Sequence, residues 1–183
     1  MVDTKKLDGV LDKYKQSFGE KVYSDENDDH DLLMEAFGIS PTLKRENRQY
    51  WGRELGKCWE SLVVEACRNA PHYQPALRIG SDEPCDLIID GYAIDTKYRV
   101  GSGDSGTLKK FKQYGNLLKS KGYEPVFLFL RSDNLPAAMT ACKNGGWTIY
   151  VGEESFEFIK KVSGFDLKDY LIKLKGSFTV ERD

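Results

Sequence analysis

The sequence predicts an α/β protein, three-layer α/β/α with a central mixed β-sheet and extra helices at the N-terminus. Three observations carry this expectation. Residues 124–131 form a near-continuous apolar run bounded by turns, as in a strand buried on both faces of a sheet. Leu87-Ile88-Ile89 and Tyr92-Ala93-Ile94 are β-prone runs separated by Asp90-Gly91, a strong two-residue hairpin signal. After that antiparallel hairpin, strand-like and helix-like stretches alternate, which adds parallel strands through helical crossovers.

Taken in order, residues 3–18 carry Leu7, Val10, Leu11 and Tyr14 at helical spacing and predict an amphipathic helix. The acidic run 25–31 reads as a loop or a helix-capping segment. Residues 31–37 make one to two helical turns ended by Gly38, and Ser40 then opens another helix with Pro41 at its first position. Residues 49–69 give the clearest helix: Trp51, Leu55, Trp59, Leu62, Val63 and Ala66 fall on one stripe, and Pro71 follows the end. Its tryptophans are assigned to the core. Residues 77–79 are read as a strand, 80–84 as a turn, and the hairpin comes next. A flexible loop rich in glycine and serine, 101–106, leads into a helix over 107–119 with Ser105 or Thr107 as N-cap. Beyond the buried strand, 135–143 is a helix, 147–151 a second internal strand, and 155–162 and 165–175 are helices. No repeat, linker or low-complexity tract divides the chain, so residues 1–183 form one domain. Its parts are an N-terminal helical elaboration (1–48), a core (49–151) and C-terminal helices (152–183).

Composition narrows the function classes. A chain of 183 residues is long enough for one real core. It has no run of eighteen apolar residues and no apolar signal region at its start, which predicts a cytoplasmic protein without membrane contact. Cys58, Cys67, Cys85 and Cys142 include no C-x-x-C pair, and His30 and His72 both fall near loops. That pattern argues against structural zinc and His-based catalysis and predicts buried free thiols. No G-K-[ST] closes the glycine-rich loop, so a nucleotide cofactor is not expected, although backbone amides entering a helix there suit a phosphate. Net charge is only −2, but it is unevenly spread. Residues 97–121 carry seven Lys or Arg against Asp104 alone. A polyanion would be drawn to that block; taken alone, the block also fits a solvated helix face.

The stretch from Pro84 to Lys97 holds the chemistry. A hairpin turning at Asp90-Gly91 brings Asp86 and Asp95 together, and strand alternation sets Asp95 and Lys97 on one face with Thr96 on the other. Two carboxylates and an ammonium then converge, a set suited to Mg²⁺-assisted phosphodiester hydrolysis, because Mg²⁺ takes hard oxygen ligands and keeps several waters. The competing reading is a solvated hairpin, since D-x-K recurs by chance. Glu60 projects beside the buried stripe of the long helix. The helix alone leaves open whether its partner is a metal or Lys57 one turn back.

These residues resemble the PD-(D/E)XK nuclease superfamily, and within it the type II restriction endonucleases, over roughly residues 50–150. Pro84 and Asp86 match the "PD" element with Cys85 inserted, Asp95-Thr96-Lys97 matches D-x-K in full, and Glu60 resembles the helix glutamate many members add. The resemblance implies a restriction-endonuclease-like fold in which Asp86, Asp95 and the Thr96 carbonyl, with Glu60, bind Mg²⁺ while Lys97 serves the attacking water. It further implies a homodimer that cuts double-stranded DNA to a 5′-phosphate and a 3′-hydroxyl. Arg99, Ser102, Asp104, Ser105, Thr107, Lys109, Lys110 and Gln113 follow the lysine and are the candidate DNA contacts, with Lys44, Arg45, Asn47 and Arg48 as a second polar cluster. Two other classes stay open on sequence: a repair, junction-resolving or mobile-element nuclease of the same fold, and a non-catalytic DNA-binding or interaction domain.

Overall fold

The computed structural model describes residues 4–19, 23–103 and 105–181. Along them run α1 (Thr4–Gly19), α2 (Leu32–Ala36), α3 (Pro41–Glu46), α4 (Arg48–Cys67), β1 (Gln74–Ile79), β2 (Asp82–Ile89) and β3 (Tyr92–Lys97). They continue as α5 (Ser105–Ser120), β4 (Glu124–Phe129), α6 (Pro136–Asn144), β5 (Thr148–Val151), α7 (Glu153–Ser163) and α8 (Leu167–Lys173). The strands make one sheet in the order β1-β2-β3-β4-β5. The first three pair antiparallel, and β3, β4 and β5 pair parallel. The expected mixed sheet is therefore present.

Helices cover both faces of it. On one side Leu55, Trp59 and Val63 of α4 and Phe156 and Ile159 of α7 close over Leu87, Ile94 and Leu128. On the other, Phe111 and Leu118 of α5 and Ala138 and Cys142 of α6 close over Ile88, Phe127, Phe129 and Trp147. This gives three layers, α/β/α. The central strand β4 is buried from residue 125 onward, which explains its continuous apolar sequence. Trp59 is fully buried, and its indole N–H donates to the Leu128 carbonyl at 3.1 Å, fixing α4 to β4 without an orphaned donor. Asn47 caps α4 by accepting from the Tyr50 amide at 3.0 Å. All four cysteines are free, three of them buried.

The C-terminal end of α6 touches α5 at Gly115. A Cβ there would stand 2.2 Å from the Gly145 carbonyl oxygen and 2.6 Å from the Trp147 indole nitrogen, which itself donates to the Phe111 carbonyl. Overpacking of this kind costs about 1–3 kcal/mol or more. Gly115→Ala is therefore expected to lower the melting temperature by about 2–12 °C, measured by circular dichroism. An unchanged transition would show that the α5–α6 spacing is not as tight as these distances require.

Several elements differ from the sequence expectation. Residues 82–84 belong to β2 rather than to the preceding turn: Ile79 pairs with Asp82 across a register shift, which accommodates Pro84 inside a strand. β5 is an edge strand of this sheet, half-buried along its length, because β4 is its only strand neighbour in the sheet order. α5 starts at Ser105, so Ser105 and Thr107 are helical and neither is the N-cap; residue 104 lies outside the described residues. The start of the loop before α5 is held, since Gly101 accepts from the Ser24 amide at 2.9 Å and Tyr23 bridges Ser102. α1 is helical as expected, yet Val10, Leu11, Tyr14 and Phe18 on its apolar side are exposed. Among the described residues no helix is long and apolar enough to cross a membrane.

Candidate active site

The β2–β3 hairpin turns on Asp90 and Gly91, with φ of 48° and 83°. Two successive positive φ values define the tight turn whose twist matches antiparallel strands, and Asp and Gly tolerate them best. The turn fixes the register: Ile89 faces Tyr92, Ile88 faces Ala93 and Leu87 faces Ile94. One further step sets Asp86 opposite Asp95.

Asp86 is half-buried and anchored. Its Oδ2 accepts from the Thr96 amide and the Thr96 hydroxyl, each at 2.7 Å, while its Oδ1 accepts no hydrogen bond among the described residues. Asp95 is 7% exposed and forms an ion pair with Lys97 through Oδ1. Lys97 also donates to the Thr96 carbonyl at 3.0 Å and lies 5.9 Å from the centre of the Phe127 ring. The expected convergence of two carboxylates and an ammonium is what the backbone produces.

The electrostatics follow from burial and sign. Burial pushes the Asp95 carboxyl up to about 7, with the negative Asp86 and Glu60 adding to the shift and Lys97 opposing it. Burial works against the charge of Lys97, but Asp95 and Asp86 outweigh it and hold the ammonium above its ordinary value. Glu60 stands on α4 at the rim, exposed. Partial burial and the charge of Asp86 raise its carboxyl against the pull of Lys97. Lys57 is not its partner, because Lys57 pairs with Glu54 at 3.3 Å.

Three acids thus face one ammonium, an excess of negative charge that a divalent cation would offset. The donors fit a hard ion: Asp86 Oδ1 and the second oxygen of Asp95 are carboxylate oxygens without hydrogen-bond partners among the described residues, and the Thr96 carbonyl follows Asp95 directly in sequence. Among the described residues no three acid, thiol or imidazole groups meet at one point. Glu60 acts on the pair through its charge. Asp86 and Asp95 are the residues that would hold Mg²⁺, which needs only one or two protein carboxylates besides water.

The residues expected to contact DNA are distributed differently. Lys109, Lys110 and Gln113 are exposed on α5, Ser105 is exposed at its start and Thr107 is half-buried. Asp104 lies outside the described residues. Arg99 is committed inward: it donates to the Ser24 carbonyl at 2.9 Å and to the Asp133 carbonyl at 2.9 Å, and pairs with the Asp133 carboxylate at 3.1 Å. Lys44 of the second cluster is 4% exposed and joins Glu26 and the Tyr98 hydroxyl, while Arg45 pairs with Asp28 and Asn47 serves as a cap. Arg48 stays on the surface and, with Ser102, lines a polar cleft of about 440 Å³ beside α4 and the end of β3.

One group of residues was not anticipated. Arg131, 5% exposed, donates to both Asp133 oxygens at 2.9 and 3.1 Å and to Asp31 at 3.2 Å, and Asp31 in turn accepts from Tyr98, the residue after Lys97. This network ties the acidic segment 25–31 to the far end of β3. Tyr114, on α5, bonds Asp82 and senses the charge of Asp95. A comparison of the chain with family models, curated proteins and solved structures finds no match in any of the three.

Proposed function

We propose that this protein is a Mg²⁺-dependent endonuclease that cuts double-stranded DNA at a defined site, acting as a homodimer in the manner of type II restriction enzymes. The observation that carries the reading is the Asp86–Asp95–Lys97 constellation on one hairpin, with the lysine seated on the buried carboxylate and open oxygens left on both acids.

When bound, Mg²⁺ supplies Lewis-acid polarisation of the scissile phosphate and a more acidic water. Asp86, its second oxygen locked by Thr96, presents a fixed ligand that does not rotate on binding. Asp95 orients Lys97. Because the surrounding carboxylates keep Lys97 protonated, its role is to donate to the attacking water or a phosphoryl oxygen and to neutralise charge in the transition state, rather than to remove a proton. Water oxygen bonds to phosphorus and gives up a proton to solvent, the bond from phosphorus to the 3′-oxygen breaks, and the leaving oxygen takes a proton from solvent. The products are a 5′-phosphate and a 3′-hydroxyl.

Digestion of a long, fully sequenced, unmethylated duplex tests this directly. Discrete fragments are expected in Mg²⁺ and none in EDTA. A smear, or cutting confined to branched or damaged DNA, would assign the site to a nuclease of another role. No cutting in any divalent metal would leave the hairpin a structural or binding element.

A further inference from the structure

Beside the hairpin, the polar cleft is lined by Ser24, Asp25, Arg48, Gln49, Gly52 and Ser102, drawn from three separate segments of the chain. We propose that this cleft receives one nucleotide of the cut strand, turned out of the duplex; the proposal rests on the nuclease reading above and specifies how that site engages its substrate.

The volume, about 440 Å³, lies within the range of sites that enclose small molecules (roughly 300–1,000 Å³). A stacked base pair held between two strands cannot enter such a concavity, whereas a single extruded nucleotide can. The lining chemistry suits both halves of a nucleotide. Gln49, Asp25, Ser24 and Ser102 offer donors and acceptors for a base edge. Arg48 offers a cation: it is 43% exposed, and its acidic neighbour Asp28 is 3.7 Å away, beyond hydrogen-bond length.

The floor gives an independent argument. Gly52 lies inside α4, where glycine weakens a helix, yet a Cβ added there meets nothing within 4 Å. One turn on, a Cβ at Gly56 would make only an ordinary 3.7 Å contact with Tyr98. Neither glycine is required by packing within the chain. Both lie on the same helix ridge as Glu60, at i, i+4 and i+8, so the helix surface between Glu60 and the cleft carries no side chain at these two positions. Eight residues of helix span about 12 Å. At 3.4 Å of duplex axis per nucleotide, that separates Gly52 from Glu60 by about three to four base steps.

The test uses 2-aminopurine, a base whose fluorescence is quenched by stacking, placed singly at each position within about four base steps of a mapped cleavage site. The Asp95→Ala protein binds without cutting, and anisotropy of an end label reports that binding separately. A severalfold rise in emission at one position is expected, lost in a protein that also carries Gly52→Leu. In the otherwise native chain, Gly52→Leu is expected to slow cleavage by about 10²-fold while leaving the circular dichroism spectrum unchanged. Arg48→Ala, at an exposed position, repeats the test without altering the helix interior. Full anisotropy change with 2-aminopurine quenched at every position overturns the cleft assignment alone. So does native emission in both cleft variants. Absence of both an anisotropy change and native cleavage overturns the nuclease reading, and the cleft assignment with it.

Discussion

Asp95→Ala is expected to abolish cleavage while the protein stays folded, and to melt higher than the native chain in EDTA. On the nuclease reading, the kinetic half follows from the loss of a metal ligand and of the group that orients Lys97. Several kcal/mol of transition-state stabilisation disappear together, a decrease of about 10³-fold or more. The stability half follows from burial. Asp95 is 7% exposed and its carboxyl is raised to about 7, so at neutral pH a metal-free molecule holds this group partly ionised against surroundings that oppose the charge. Removing that charge relieves the fold. Added Mg²⁺ is expected to raise the melting temperature of the native protein by mass action and to leave that of Asp95→Ala unchanged. Cleavage rates on a mapped site, anisotropy with a labelled duplex and thermal melts with and without Mg²⁺ measure the three effects. An unfolded Asp95→Ala protein would mean that the aspartate holds the hairpin together and serves no ligand role.

The second large effect is expected at Asp133, far from the hairpin in sequence. Its carboxylate is shared by Arg131 and Arg99 in a nearly solvent-free setting. Asp133→Ala leaves two guanidinium groups short of a counter-charge, and breaking a buried ion pair from one side costs about 3–5 kcal/mol. The pH dependence has a definite sign. Burial alone would raise the Asp133 carboxyl, but hydrogen bonding and charge from Arg131 prevail and hold it below its ordinary value of 3.8. Its stabilising contribution is thus fully present above the unfolded-state value and is lost as pH falls through the lower, folded-state value. Urea titrations across pH 2–6 should show the native protein losing stability below about pH 4, with a shallower slope in Asp133→Ala. Equal slopes would remove Asp133 from the acid transition.

What was legible in the sequence was local. Asp90-Gly91 sets a hairpin through its own φ angles, and that register aligns Asp86, Asp95 and Lys97 without help from distant residues. The buried strand β4 and the helix α4 were equally plain, because a continuous apolar run and a 3.6-residue stripe each state their environment. The fate of the charged residues was not legible. Arg99 and Lys44 look like DNA contacts in sequence, but their partners Ser24, Asp133 and Tyr98 lie 34 to 75 residues away. Periodicity also identifies an apolar face without naming what covers it, which is why α1 could be foreseen as amphipathic but its exposed Leu11 and Phe18 could not.

The same distances bear on when the molecule becomes competent. Segment 25–31 is translated well before Arg131, which reaches back to the Asn27 and Asp29 carbonyls across 104 and 102 residues. Those anchors do not exist until residue 131 has emerged. The cleft wall formed by Ser24 and Asp25 is consequently translated well before it is fixed. A truncated or nascent chain ending before residue 131 carries Asp86, Asp95 and Lys97 but lacks these anchors, and it also lacks the arginine that holds Asp31 against Tyr98. On the nuclease reading, this ordering delays activity until residue 131 has been translated.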